Sequence, residues 1–436
     1  MLEKILNSTF ECECGKKHHI DIKRILIEVG ALAKLPSLLS NLTSKKKFLI
    51  ISDLNTHNSA GRKAEVILTK HGYQVKELIL KDKNVIPNPN NLFKILKKIT
   101  KKEYILACGS GTINDLTGYA SYKTGQPYSV IATAPSMDGY ASAVSSITAE
   151  GIKQTYNTNP AEAIIADIEV LRKAPKKLIQ AGYGDLLGKT TSLMDWKLAK
   201  LLFSEYYCNK AAEIIENELD NIIRLAQNSD YREPKNIESL IKGLIYSGLA
   251  MQMVGSSRPA SGSEHHISHF IEMFAKNYVK KMPLHGTKVG MATLFTTSLY
   301  LILKDIDFES INLNIDKKKR ANHIKKAYGN RSEPILSNLE KRWDKEYLTK
   351  SDLLKSKKII ISLIKKDLKT IKKSREILQE HELFNQNIVK EIPRELLEKA
   401  LKYGFEIRAR YTITTLMNQI GELDNIIDRL LNRFYD

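Results

Sequence analysis

Apolar and polar positions along this chain follow two successive patterns. Short, nearly continuous apolar runs occur at 47–52, 75–80, 103–108 and 128–133, and again at Ala163–Asp167, with helical periodicity between them. Runs of this kind read as strands buried on both faces, and strands alternating with helices predict a largely parallel sheet flanked by helices. Pro87 and Pro89 mark a loop, while Pro160 and Pro175 bracket the last strand and the turn that leaves it. Beyond Pro175 the strand signal all but vanishes. Helical periodicity takes over at 176–206, 210–227, 235–254, 262–279 and 286–303, and continues to the end of the chain. The expected architecture is an α/β nucleotide-binding domain over 1–175 and an all-helical domain over 176–436, with no internal repeat and no low-complexity tract.

Composition narrows the class. A chain of 436 residues can bury a substantial core in two or three domains. No stretch approaches the roughly 18 apolar residues of a membrane span, and the amino terminus lacks a signal-peptide core, so a cytoplasmic protein is expected. Four cysteines in so long a chain form no disulfide framework, which points to a reducing compartment. Cys108, in a predicted strand, and Cys208, in a predicted helix, read as core residues. Cys12, Cys14, His18 and His19 are possible metal ligands, but two cysteines one residue apart depart from the usual structural zinc spacing, so no site is expected there. Lysine and arginine exceed aspartate and glutamate by 68 to 49, a net +19. The excess is spread along the chain, and its densest runs, Lys317–Arg320 and Lys365 to Lys373, fall on polar helical faces. Nucleic-acid binding is therefore not expected, although a positive field would suit a phosphorylated small molecule.

Candidate chemistry lies in four places. The run Tyr104–Cys108 leads directly into Gly109-Ser110-Gly111-Thr112-Ile113-Asn114-Asp115. Such glycines let backbone approach a pyrophosphate at a helix start, although Asn114 stands where the dinucleotide fingerprint has its third glycine. The usual downstream acidic residue is also missing, and Asp53 ends an earlier run instead. The run 128–133 ends in Ala134-Pro135-Ser136-Met137-Asp138-Gly139-Tyr140-Ala141-Ser142, where small hydroxyls and a carboxylate suit a sugar or polyol. Farther on come Gly182-Tyr183-Gly184-Asp185-Leu186-Leu187-Gly188-Lys189 and Ser263-Glu264-His265-His266-Ile267-Ser268-His269, with Leu284-His285-Gly286 after them. Four of the ten histidines fall between 265 and 285, and His265 and His269 share a helix face. A carboxylate with two imidazoles is a common cradle for a catalytic divalent ion.

In this order, GSGTIND, TAPSMDGYAS, GYGDLLGK, SGSEHHISH and LHGTKVG resemble the sn-glycerol-1-phosphate dehydrogenase family, and its bacterial members in particular. That family is a branch of the superfamily of iron-containing alcohol dehydrogenases, glycerol dehydrogenase and 3-dehydroquinate synthase. The resemblance runs from about residue 10 to about 300, with a fainter echo at Ile407–Ile413. It implies a homodimeric, metal-dependent enzyme that reduces dihydroxyacetone phosphate with NAD(H) or NADP(H), zinc or nickel being the first candidates for the ion. By the same resemblance Asp185, His265 and His285 are metal ligands and His269 is the neighbouring substrate-contacting histidine. His266, about 100° around the helix, is expected at the surface or as a cap. The turn Gly109, Ser110, Gly111, Thr112 and Ile113 would cradle the pyrophosphate. Thr133, Ala134, Pro135, Ser136 and Ser142 would lie on the nicotinamide side, and Asp53 on the ribose. Asp138 and Asp185 would contact substrate hydroxyls, and Arg258, or failing that Lys189, its phosphate. Alternatives are a dehydrogenase of an unphosphorylated polyol, a 3-dehydroquinate synthase-like cyclase, and a basic binding protein without catalysis. The aspartate at 185, where the synthase branch has glutamate, weighs against cyclisation.

Overall fold

The apolar runs before Pro175 fold into one parallel sheet. In a computed structural model, residues 5–149, 152–226, 230–279, 282–313, 316–343, 346–380 and 387–435 are described. After a small antiparallel hairpin, β1 (Ser8–Glu11) and β2 (Lys17–Ile20), come β3 (Arg24–Glu28), β4 (Lys47–Asp53), β5 (Gln74–Leu80), β6 (Tyr104–Gly109) and β7 (Tyr128–Ala132). A second antiparallel hairpin, β8 (Val144–Ala149) and β9 (Ile152–Asn157), precedes β10 (Ala163–Asp167). The six-stranded sheet has the order β3-β10-β7-β6-β4-β5, with every pair parallel. Strands β6, β7 and β10 are buried at every residue, which is why they read as unbroken apolar runs. The edge strands β3 and β5 carry charge, including Arg24, Glu28, Lys76 and Glu77.

Five strands, β3 and those of the two hairpins, escaped the sequence pattern. β3 has only Ile25, Leu26 and Ile27 between charges, and both hairpins mix polar and apolar residues because they face solvent in part. The sheet order matters for function. From β4 the chain steps outward to β5, then returns to place β6 on the other side of β4. The carboxyl ends of β4 and β6, at Asp53 and Gly109, therefore flank the point where the winding reverses, the usual ligand crevice of an open α/β sheet.

Beyond Asp167 the described residues form helices and connecting segments, with no further strand. Two compact units result: Met1–Leu186 with Glu213–Ser256, and Leu187–Ala212 with Ser257–Asp436. The first holds the sheet, α1 (Gly111–Thr124), the start of α2 (Lys176–Phe203), most of α3 (Asn209–Ala226), and α4 (Pro234–Val254). The second is helical, with α5 (Ser263–Phe274) packed on α6 (His285–Leu303). Helix α6 is buried almost all round, so its hydroxyls return to its own backbone: Thr293 donates to Val289 O at 2.8 Å and Ser298 to Leu294 O at 2.7 Å. α7 (Lys350–Glu380) covers α6, and α8 (Arg394–Tyr403) covers α5. No described helix is long and apolar enough to cross a membrane.

Candidate metal centre and cofactor turn

In the sheet unit, the glycine turn follows β6 without a break. Gly109 pairs with Ala132 of β7, and a Cβ on it would lie 2.4 Å from the Ile113 side chain, so only glycine permits this turn. Ser110 is the N-cap of α1 but makes no side-chain capping bond among the described residues, so the cap supplies no acceptor to the first-turn amides, the kind of helix start that suits an anion. Asn114, in the position of the missing third glycine, donates to Gly139 O at 3.2 Å and accepts from Tyr128 at 3.3 Å. It thereby ties the glycine turn to the loop after β7. Asp53 caps the turn after β4, accepting from Thr56 N at 2.8 Å through Oδ1.

The loop after β7 is pressed against two helices of the same unit. Thr133 N donates to Gly109 O at 3.2 Å, and Tyr140 OH donates to Ala134 O at 2.7 Å. A Cβ on Gly182 would stand 1.8 Å from Pro135 O, and one on Gly248 would stand 2.9 Å from Asp138 O. These two glycines let α2 and α4 close on the loop. As a result Asp138 N donates to Asp185 Oδ2 at 3.1 Å, while the Asp138 carboxylate accepts from Ser247 at 3.1 Å. Thr133, Ser136 and Ser142 are all buried here, and Ser142 Oγ accepts from Val144 N at 3.3 Å.

The helical unit gathers the imidazoles. Ring centroids of His265, His269 and His285 lie 5.2, 5.6 and 6.2 Å apart. Helical spacing brings the first two together, and the α5–α6 packing places His285, the first residue of α6, beside them. Glu264 is fully buried; its Oε1 accepts from Gly262 N at 2.7 Å and meets His265 Nδ1 at 2.8 Å, and its Oε2 accepts from Thr191 at 2.7 Å. Burial pushes the Glu264 carboxyl up to about 7, with the negative charge of Asp195 adding to it. Glu272 serves the other two rings, with Oε2 3.3 Å from His269 Nδ1 and Oε1 3.1 Å from both His285 Nδ1 and Lys288 Nζ. A proton on Nδ1, pointed at a carboxylate, leaves Nε2 of His265 and of His285 as lone-pair donors. Burial, then the Lys189 charge, holds His265 neutral, and burial pushes His269 down to about 4 against the pull of Glu272. Neutral imidazoles oriented by carboxylates suit a divalent cation. The ligand atoms of His269, Glu272 and His285, within 4.8 Å of one another, offer a second donor set in the same place.

Asp195 holds this arrangement in register. It is fully buried, accepting from Ser263 N at 2.7 Å, Ile413 N at 2.8 Å and Tyr300 OH at 2.6 Å. It therefore takes amides at the starts of two helices, α5 and α9 (Ile413–Gln419), and burial raises its carboxyl above the ordinary range. Arg258 is committed elsewhere than its expected phosphate role: its guanidinium grips Glu205 at 2.7 and 3.0 Å and also donates to Asp195 O and Tyr411 O. Lys189 donates to Ala260 O at 3.1 Å. Arg408, known in sequence only from the faint carboxyl-terminal echo, donates to Ser257 Oγ at 3.1 Å, and its charge bears on both His265 and His269. His266 corrects the expectation of a surface or capping residue. It is fully buried because residues 404–406 pack against its turn, where a Cβ on Gly404 would lie 3.2 Å from His266 O, and among the described residues neither ring nitrogen is hydrogen-bonded. Glu264, Glu272, Asp195 and Arg408 were missed as functional positions. Only the adjacency of Glu264 to His265 and the three-residue step from His269 to Glu272 were legible as hints.

Known proteins match this chain in both sequence and fold. The sequence model of the iron-containing alcohol dehydrogenase family matches residues 26–175. A glycerol-1-phosphate dehydrogenase [NAD(P)+] of Halalkalibacterium halodurans is 36% identical over 305 residues, 69% of this chain and 76% of that protein. The enzymes of the same name from Bacillus subtilis and Pyrococcus horikoshii are 35% and 32% identical, over 65% and 64% of this chain and 72% and 78% of theirs. Among solved structures, a probable glycerol dehydrogenase from Sinorhizobium meliloti superposes with a TM-score of 0.57 at 14% identity, covering 94% of this chain and 98% of its own. Glycerol dehydrogenase from Schizosaccharomyces pombe gives 0.54 at 15% identity, covering 94% and 91%.

Proposed function

The chain belongs to the glycerol-1-phosphate dehydrogenase family, within the iron-containing alcohol dehydrogenases, and on that premise we propose that it interconverts sn-glycerol 1-phosphate and dihydroxyacetone phosphate with NAD(P). One observation carries the chemistry: three imidazoles gathered from two helices, with two carboxylates holding their Nδ1 atoms. His265 and His285 would hold a divalent ion through Nε2, with Asp185 as the third ligand that the family pattern assigns. When bound, the ion supplies Lewis acidity, easing loss of the carbinol proton in one direction and polarising the ketone in the other. Glu264 and Glu272 fix the tautomers of His265 and His285 and keep the rings from turning. Glu272 is an orienting group in this reading because it serves two Nδ1 atoms and Lys288 at once. His269, uncharged near neutrality, takes a hydrogen bond from a substrate hydroxyl, and Asp138 takes another.

A bound NAD(P) would supply the hydride acceptor or donor for the carbinol carbon, which calls for residues that hold the dinucleotide firmly by its far end. The Gly109–Ile113 turn at the switch point is suited to the pyrophosphate, and Asp53, at the adjacent strand end, to a ribose hydroxyl, which favours NAD over NADP. A substrate phosphate calls for a guanidinium or ammonium group in a partly dry cleft. With Arg258 gripping Glu205, Arg408 is the better candidate.

The test is NADH and NADPH oxidation by zinc- or nickel-loaded protein with dihydroxyacetone phosphate and dihydroxyacetone compared side by side. The phosphorylated ketone should be reduced far faster; comparable rates would make this a plain polyol dehydrogenase. Asp185→Asn, His265→Ala and His285→Ala should each lose the ion, whereas His269→Ala should keep it and lose turnover or substrate affinity. Full metal occupancy in the first three would refute the ligand assignment.

A further inference from the structure

The amino-terminal hairpin carries a cluster that the proposed catalysis does not use. β1 and β2 pair from Ser8↔Ile20 to Glu11↔Lys17, and the connection between them closes tightly. Cys12 N donates to Lys16 O at 3.2 Å, Gly15 N donates to Cys12 O at 2.9 Å, and Gly15 takes the left-handed φ of +80° that the turn requires. Folding back so sharply gathers the side chains of Cys12, Cys14 and His18: their ligand atoms lie within 4.8 Å of one another, and Cys14 Sγ is 3.2 Å from His18 Nε2. Spacing argued against a site here because a Cys-x-Cys pair alone gives no four-residue knuckle. The αL glycine and the hairpin register bring in the imidazole, which spacing does not reveal.

His18 is prepared as a ligand. It is buried, and its Nδ1 lies 2.5 Å from the carbonyl of Met253 in the last turn of α4. A carbonyl only accepts, so Nδ1 carries the proton and Nε2 presents its lone pair to the thiols. The same helix end is tied to the hairpin by Asp21 N, which donates to Gln252 Oε1 at 3.3 Å. We propose that Cys12, Cys14 and His18 form a structural metal site of the zinc class, sharing no ligand with the catalytic set and fastening the hairpin to the end of α4. Two thiolates and a neutral imidazole select zinc or a similar borderline cation over magnesium or calcium, and the remaining tetrahedral position falls to water or another side chain.

Cobalt(II) reads this site without interference from catalysis, because only thiolate ligands give a near-ultraviolet thiolate-to-cobalt charge-transfer band. Protein stripped of metal and reloaded with cobalt should show that band, and a His265→Ala/His285→Ala chain should show it undiminished. Cys12→Ser/Cys14→Ser should abolish it and lose one equivalent of bound metal. No band in the unsubstituted protein, or a band that survives the double cysteine change, overturns the proposal. Should the cysteine variant fail to fold, alkylation of the unsubstituted chain decides the matter. Zinc should protect Cys12 and Cys14, and chelation should expose them. Equal alkylation with and without zinc overturns the site.

Discussion

Replacing Glu264 with glutamine tests how far metal affinity depends on a residue that would not touch the metal. The change is nearly isosteric. Its carbonyl oxygen can still accept from Gly262 N and from His265 Nδ1, now 2.7 and 2.8 Å from Oε1. The amide falls beside Thr191, whose hydroxyl already donates to Gly188 O at 3.1 Å and can accept instead. Packing and bond count survive, so what is lost is charge. A hydrogen bond to an ionised group is worth roughly 1 kcal/mol more than a neutral one, so two such bonds on Oε1 put the loss near 2 kcal/mol. At about 1.4 kcal/mol per factor of ten, that is roughly a 30-fold weaker ion, inside the 10- to 100-fold range typical of orienting carboxylates. The assay is competition for zinc or nickel against a chromophoric chelator, run above the value of about 7 to which burial pushes this carboxyl, so that it is ionised in the parent protein. Thr191→Val is the control, losing one bond without altering charge, and should cost no more than about threefold. An unchanged affinity in Glu264→Gln would show that His265 needs no carboxylate to present Nε2.

Three further outcomes are expected. Gly182→Ala forces a Cβ into Pro135 O, at 1.8 Å in the present backbone, so the loop must move at a cost of about 1–3 kcal/mol or more; NAD(P) affinity and thermal midpoint should both fall, and unchanged values would refute the tight-loop reading. Arg258→Ala leaves Glu205, Asp195 O and Tyr411 O without their donor and should lower stability by about 2–3 kcal/mol in denaturant titration, discounted for the part-exposed Glu205. It should leave the preference for the phosphorylated ketone alone, whereas Arg408→Ala should raise KM for that ketone only. In the metal-free chain, burial holds His265, His266 and His269 below their ordinary 6.5, so their contribution to stability is complete above pH 6.5 and is lost as pH falls toward the value of about 4 for His269. Glu264 has the opposite sign, its contribution being present below 4.5 and lost as pH rises toward about 7. Asp195, also raised by burial, shares the sign of Glu264; the thermal midpoint should nonetheless fall on acidification because three imidazoles oppose these two carboxyls, and a flat profile would contradict it.

Much was legible before any coordinates. Strands β4, β6, β7 and β10 announced themselves because a strand buried on both faces has to be apolar throughout, and the change of pattern after Pro175 marked the passage to helices for the same reason. The glycine turn and the histidine cluster were equally plain, since Gly109 and the four-residue step from His265 to His269 obey local geometry. The residues that prepare those groups were not visible. Glu272 meets His285 across thirteen positions, Asp195 takes an amide 68 residues away and another 218 away, and His18 finds a carbonyl 235 residues on. The expected phosphate arginine, Arg258, proved engaged with Glu205, while His266 and the Cys12–Cys14–His18 cluster changed meaning once their neighbours were known. Periodicity and turn chemistry depend on a few adjacent dihedral angles, so the chain itself declares them. Which buried carboxylate meets which imidazole depends on packing between distant segments, and that is decided only when the whole fold has closed.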